Sequence, residues 1–180
     1  ANDNTATSEN PMAAMIGTLI HEALQTHVQQ PLNEELIASL RTHWLARLDK
    51  ISESEEECEQ ALLQIRTGLD NCLADEENNW IFDSGLQDSA CELEVQRQTP
   101  FYAEKFIIDR TFIDPHGVRW IIDYKTAVNP GNEERDFIEQ QRQRYKPQLD
   151  NYRELFSAME DRTIKPALYL SSIPALVLID

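Results

Sequence analysis

Apolar residues recur at helical spacing through the first half of the chain. Ile16, Leu19, Ile20, Ala23, Leu24 and Val28 form one stripe and predict a helix from Met15 to Val28. Glu34 to Leu48 predicts a second helix, capped by Asn33, with Leu36, Ile37, Leu40, Trp44 and Leu48 inward. Ser52 to Leu73 predicts a third. Ser52-x-x-Glu55 makes a capping box, and Cys58, Leu62, Ile65, Leu69 and Leu73 form the stripe. Trp80-Ile81-Phe82 stands in a polar connection and plugs the core edge. The period then drops to two. From Ala90 to Arg97, Cys91, Leu93 and Val95 face one way, and Glu92 and Glu94 the other. Phe106 to Lys125 reads as a hairpin turning at Pro115-His116-Gly117. Pro115 pre-sets the first turn position, and Gly117 takes the left-handed conformation. Val128 to Glu134, with Asn-Pro-Gly, is a loop and a candidate lid. Arg135 to Tyr145 predicts a helix, after which Pro147 opens a new one. Lys165 to Ser171 and Ala175 to Ile179, punctuated by Pro166 and Pro174, complete the sheet. This order gives an α/β fold: a mixed sheet flanked by helices, with an N-terminal helical part.

The hairpin carries the chemistry. Ile107, Asp109, Thr111 and Ile113 share one strand face, and Arg119, Ile121, Asp123 and Lys125 share a face on the next strand. The three-residue loop pairs Asp114 with Val118, and counting back pairs Asp109 with Asp123. Two carboxylates then stand with Cβ atoms about 4.5–5.5 Å apart. Opposed like charges destabilise a sheet, and the triplets Phe106-Ile107-Ile108 and Trp120-Ile121-Ile122 predict burial that raises the penalty. A divalent cation removes it. Lys125 adds a cationic group beside the acids.

The chain's 180 residues, 41% hydrophobic and 27% charged, suffice for one globular domain with a sizeable core. The expected division is an arm over 1–12, then a single domain over 13–180, mainly helical over 13–88 and mixed-sheet over 89–180. No apolar run approaches the ~20 residues of a membrane span. Cys58, Cys72 and Cys91 fit neither a disulfide framework nor a zinc pattern, and read as free thiols in a reducing compartment. His27, His43 and His116 read as surface residues. The net charge of −16 opposes phosphate binding. The acids concentrate in Glu53 to Glu59 and Asp75 to Glu77. The bases come later, at Lys105, Arg110, Arg119, Lys125, Arg135, Arg142, Arg144, Lys146 and Arg153. Arg142, Arg144 and Lys146 are the expected phosphate contacts.

Asp109, a hairpin turn and Asp123-Tyr-Lys125 together resemble the PD-(D/E)XK nuclease core. The fuller string, Ile108-Asp-Arg-Thr-Phe112 followed by Gly117-Val-Arg-Trp-Ile-Ile-Asp-Tyr-Lys-Thr126, resembles the nuclease domain at the C-terminal end of RecB/AddA-type, UvrD/Rep-like helicase–nucleases, such as the exonuclease V beta subunit. Gly17-Thr-Leu-Ile-His21 resembles the family's Gly-x-x-x-His helix, and Tyr145-Lys-Pro-Gln148-Leu-Asp-Asn-Tyr152 its Tyr-x-x-Gln-x-x-x-Tyr segment. The motifs fall in order over nearly the whole chain. One departure is Phe106, where the family often has Gly.

The resemblance implies a restriction-endonuclease-like core and a metal-dependent DNA exonuclease of a bacterial recombination or repair helicase. Asp109 and Asp123 hold Mg²⁺, for which Mn²⁺ substitutes. His21 is the third protein ligand, and the Tyr124 backbone carbonyl contributes. Lys125 positions the nucleophile or stabilises the transition state. Glu92 matches an acid on the family's first strand, and Gln148 and Tyr152 face the site or the substrate backbone. The implied partner is DNA, single-stranded and delivered by a helicase motor in the parent chain or a partner subunit. The implied location is the bacterial cytoplasm, at the nucleoid. The alternative is a catalytically inactive DNA-binding or subunit-docking module. The chain has no Gly-x-x-x-x-Gly-Lys-[Ser/Thr] loop of its own.

Overall fold

The computed structural model describes residues 10–180. The arm expected over 1–12 lies outside the described residues up to residue 9. Asn10 caps the first helix, accepting from the Ala13 N–H at 3.1 Å, and Pro11 and Met12 already belong to its first turn. The described chain divides into two compact units, up to Phe82 and from Asp83.

The first unit holds α1 (Pro11–Gln29), α2 (Glu34–Leu48), α3 (Glu55–Ala74) and a short 3₁₀ turn at Asn79–Phe82. The buried residues of α1 are the six of the predicted stripe, and α2 has the predicted bounds. Ile81 and Phe82 are buried, as a core plug requires. His27 is not a surface residue: it is half-buried, accepts from the Leu32 N–H at 3.1 Å and stands edge-on to Phe82. Desolvation lowers its pKa, so it packs as a neutral ring.

α3 is capped by Ser54, two residues later than expected. Ser54 Oγ accepts from the Glu57 N–H at 3.1 Å, while Glu57 Oε2 reaches back to the Glu53 N–H at 2.7 Å. Ser52-x-x-Glu55 and Ser54-x-x-Glu57 both satisfy the capping pattern, so local sequence alone cannot choose between them. Ser54→Ala is expected to cost about 1 kcal/mol in urea unfolding, and Ser52→Ala only a few tenths. Equal costs would contradict the assignment.

The second unit is a five-stranded sheet in the order β1-β2-β3-β4-β5, with one long helix. Its strands are β1 (Gln87–Gln98), β2 (Ala103–Ile113), β3 (Arg119–Lys125), β4 (Ile164–Leu170) and β5 (Ala175–Leu178). β3 and β4 are parallel and the other neighbours antiparallel, so the sheet is mixed. The crossover from β3 to β4 contains α4 (Glu134–Ser157). Ile121, Leu168, Leu170 and Val177 of the sheet cluster with Phe137, Leu149, Tyr152, Leu155 and Phe156 of α4.

α4 runs unbroken through Pro147, where sequence predicted one helix ending and another beginning. A proline inside a helix removes one bond to the carbonyl four residues back. That residue, Gln143, is exposed, as is Pro147, so the missing bond falls on the solvent side of the helix while the buried stripe continues on the other side.

Candidate metal centre

The β2–β3 hairpin has the predicted register. Gly117 takes φ +81°, and the Asp114 N–H donates to the Val118 carbonyl at 2.9 Å. Asp114 locks the loop, accepting from the His116 and Val118 N–H groups and from Trp120 Nε1. The ladder runs from Ile113/Arg119 to Arg110/Ile122 and ends there, with Asp109 and Asp123 the next residues in its register. Asp109 Oδ2 accepts from the Tyr124 N–H at 2.8 Å, which ties that carboxylate to the β3 backbone.

Asp123 is buried at 5% exposure, whereas Asp109 is half-buried. The apolar triplet around Asp109 does not enclose it: Ile108 is fully buried on the other face, but Ile107 is 48% exposed. The approach to Asp109 is therefore open along its own strand. Glu92 lies opposite Asp109 on β1, between the pairs Cys91/Arg110 and Leu93/Ile108. Its φ of +49° is a left-handed conformation that L-residues rarely hold in a strand. The Glu92 and Asp109 carboxylates offer oxygens within 4.8 Å of one another. Glu94 instead pairs with Lys105 at 2.6 Å, as a surface acid does.

The Asp109 pKa is pushed well above the ordinary carboxylate range, first by desolvation and then by the Asp123 charge. Its native state therefore binds a proton more tightly than the unfolded chain. This contribution to stability is present at low pH and is lost as pH rises through the elevated pKa. In EDTA, Asp109→Asn is expected to melt above wild type by a margin that widens as pH rises from the carboxylate range towards neutrality. A margin constant across a pH series of melting curves would contradict the repulsion.

Lys125 Nζ lies 2.7 Å from Asp123 Oδ2 and 4.0 Å from the centre of the Tyr145 ring. Burial is the largest single influence and lowers its pKa, but Asp123, Tyr145 and Asp109 together raise it more, and the net shift is upward. The side chain stays an ammonium through the neutral range. Tyr152 is buried against Phe106, ring centroids 6.2 Å apart, and its hydroxyl accepts from Gln148 Nε2 at 2.9 Å. Burial, then Asp123, raises its pKa, so it remains a neutral phenol. Phe106, the departure from the family pattern, thus fills space towards α4.

Asp109, Asp123, Glu92, Lys125, Gln148 and Tyr152 all belong to the sheet unit. Tyr124 lies between Asp123 and Lys125, its ring edge-on to Tyr169. His21 is half-buried on α1 of the helical unit. Tyr145 and its ring over Lys125 were not assigned a role from sequence. The signal was Tyr145-x-x-Gln148-x-x-x-Tyr152, which repeats at helical spacing on one face. Two basic residues are structural instead of phosphate-facing. Arg110 is fully buried and donates to Ser89 Oγ and the Asp83 carbonyl. Arg119 pairs with Glu160 at 2.7 Å.

A family model of the PD-(D/E)XK nuclease superfamily matches residues 2–175. The chain belongs to the PD-(D/E)XK nuclease superfamily. Among solved structures, one similar fold is a protein of Eubacterium rectale named as a "putative exonuclease". It has a TM-score of 0.60 at 14% identity, over 96% of this chain and 59% of that one. The superfamily domain thus spans little over half the length of that relative. Protein VC1899 from Vibrio cholerae matches at a TM-score of 0.32 and 15% identity, over 90% of this chain and 48% of that one. No curated protein matches. Among the described residues, no helix is long and apolar enough to cross a membrane.

Proposed function

We propose that this superfamily domain is a Mg²⁺-dependent DNA exonuclease, the C-terminal nuclease module of a bacterial RecB/AddA-type helicase–nuclease. The observation that carries this reading is the acid pair of the hairpin. Asp109 and Asp123 follow the last pair of the β2–β3 ladder, close enough for the Asp123 charge to raise the Asp109 pKa, Glu92 offers a third carboxylate to Asp109, and a lysine lies 2.7 Å from Asp123. Such a set repels itself unless a cation neutralises it, and its oxygen donors suit Mg²⁺, with Mn²⁺ as a substitute.

Asp109 and Asp123 are the proposed carboxylate ligands, with Glu92 adding negative charge at Asp109. The Tyr124 carbonyl, between Asp123 and Lys125 in sequence, is a further proposed donor. His21 is the proposed nitrogen donor on the strength of Gly17-Thr-Leu-Ile-His21 alone. When bound, the cation supplies positive charge against the phosphate and acidifies water beside it. Lys125 holds a second positive charge, fixed by Asp123 and the Tyr145 ring, for the charge that develops on the phosphoryl oxygens. Tyr152 and Gln148 supply a neutral, preorganised hydrogen-bonding pair. The Asp109 oxygen that accepts from Tyr124 keeps the acid oriented as substrate arrives.

DNA delivery by a helicase motor is part of the proposal, because the chain's bases are largely spent internally. Arg142 pairs with Glu139, and Lys146 with Asp150, both on α4. The isolated chain is therefore expected to bind DNA weakly, with a shallow salt dependence. The test of the exonuclease assignment compares linear and circular single-stranded DNA with Mg²⁺, Mn²⁺ or EDTA. Loss of the linear form alone, and only with metal, is the expected result. Nicking of the circle would make the domain an endonuclease.

A further inference from the structure

The β1–β2 ribbon carries a feature that the acid site does not use. β2 pairs with β3 only as far as Arg110, but with β1 it continues to Ala103. Asp109 thus marks where a two-stranded ribbon leaves the sheet and runs on for about 20 Å. At its tip Phe101 is 92% exposed and Tyr102 58% exposed. The tip is a tightened turn. Thr99 Oγ1 accepts from the Tyr102 N–H at 3.0 Å and the Phe101 N–H at 3.3 Å, and the Thr99 N–H donates to the Tyr102 carbonyl at 2.9 Å. Two aromatic rings are therefore presented to water by a hydrogen-bonded turn.

The ribbon has one anchored face and one open face. On the anchored face Phe106 meets Tyr152, and Arg97 donates to Asn151 of α4. On the open face Lys105, Ile107 and Asp109 follow at period two and lead from the tip to the acid. Their neighbours on β1 are Gln96, Glu94 and Glu92. Lys105 neutralises Glu94 at 2.6 Å, so the stretch between the tip and the acids carries little net charge, and the uncompensated charge lies at Asp109 and Glu92.

We propose that Phe101 and Tyr102 are a base-stacking subsite that holds an unpaired DNA strand a few nucleotides from the acids. This rests on the nuclease reading above, whose expected substrate is a single strand, and adds the place where that strand is held. The warrant is the mismatch between charge and chemistry. A chain of net charge −16 gains little from phosphates, but every unpaired base offers a π-face that an exposed aromatic ring covers without needing charge. A duplex hides those faces.

The test uses the full chain in EDTA, where nothing is cut, and a fluorescein-labelled oligothymidylate carrying a single abasic site stepped along its length. Wild type is expected to lose about tenfold in affinity when the abasic site reaches one position. Phe101→Ala should bind the intact strand about tenfold more weakly and be indifferent to that position, and Phe101→Trp should restore both. Unchanged affinity in Phe101→Ala, or retained sensitivity to the abasic position, overturns the subsite and assigns the tip to a protein contact. So does a wild type that cuts with Mg²⁺ but has no measurable affinity in EDTA, since stacking needs no metal. A wild type that neither cuts nor binds overturns the nuclease reading as well.

Discussion

Lys125→Ala is expected to lose cleavage by a factor of about 10²–10³ while keeping its response to metal. The lysine is held by Asp123 at 2.7 Å and by the Tyr145 ring at 4.0 Å, and it remains charged because Asp123, with Tyr145 and Asp109, offsets the cost of burial. A preorganised charge of this kind acts on the transition state and needs no rearrangement as the reaction proceeds. Its removal also strands the buried Asp123 carboxylate, so the metal-free variant should melt below wild type. Mn²⁺ should recover much of that loss, because it supplies the charge the lysine no longer gives. Single-turnover cleavage and melting curves on one preparation separate the two effects. Wild-type turnover with metal bound would remove Lys125 from the mechanism. Parallel loss of the metal response would make it a ligand-positioning group instead.

Asp109→Ala is expected to abolish stabilisation by Mn²⁺. A ligand that binds only the native state at a hundred times its Kd contributes about 2.7 kcal/mol, and the variant should forfeit all of it. Without metal the same substitution should stabilise the fold, since Asp109 is held against Asp123 with its pKa pushed up. The opposite signs are the diagnostic. Most core truncations lower stability under every condition. A variant less stable than wild type in EDTA and still raised by Mn²⁺ would place the cation elsewhere.

The hairpin was legible because its turn counts itself. Pro115 and Gly117 admit one loop length, that length sets the register, and the register opposes Asp109 to Asp123. The α1 stripe and the bounds of α2 were legible for a similar reason, since apolar period and cap agree. Where two local patterns competed, sequence could not choose, as with Ser52 and Ser54. Where tertiary burial outweighed a local rule, sequence chose wrongly. Pro147 sits inside α4 because Leu149, Tyr152, Leu155 and Phe156 carry the buried stripe past it. The later bases were legible only as charge, which does not say what a guanidinium meets. Arg110 is spent on Ser89 and the Asp83 carbonyl, and Arg119 on Glu160. The triplet Phe106-Ile107-Ile108 predicted burial of Asp109, but the exposure of Ile107 leaves the approach to that acid open.

Degradation of end-labelled linear single-stranded DNA by wild type and Asp123→Ala, with Mg²⁺ and with EDTA, tests the central claim most directly. Asp123 is buried, raises the Asp109 pKa by its charge and holds Lys125, so its loss should remove a proposed ligand and release the lysine together. The expected result is shortening of the strand by wild type with Mg²⁺, and none in EDTA or by a folded Asp123→Ala. Shortening that persists in EDTA, or in Asp123→Ala at the wild-type rate, would contradict a metal-dependent nuclease centred on this hairpin.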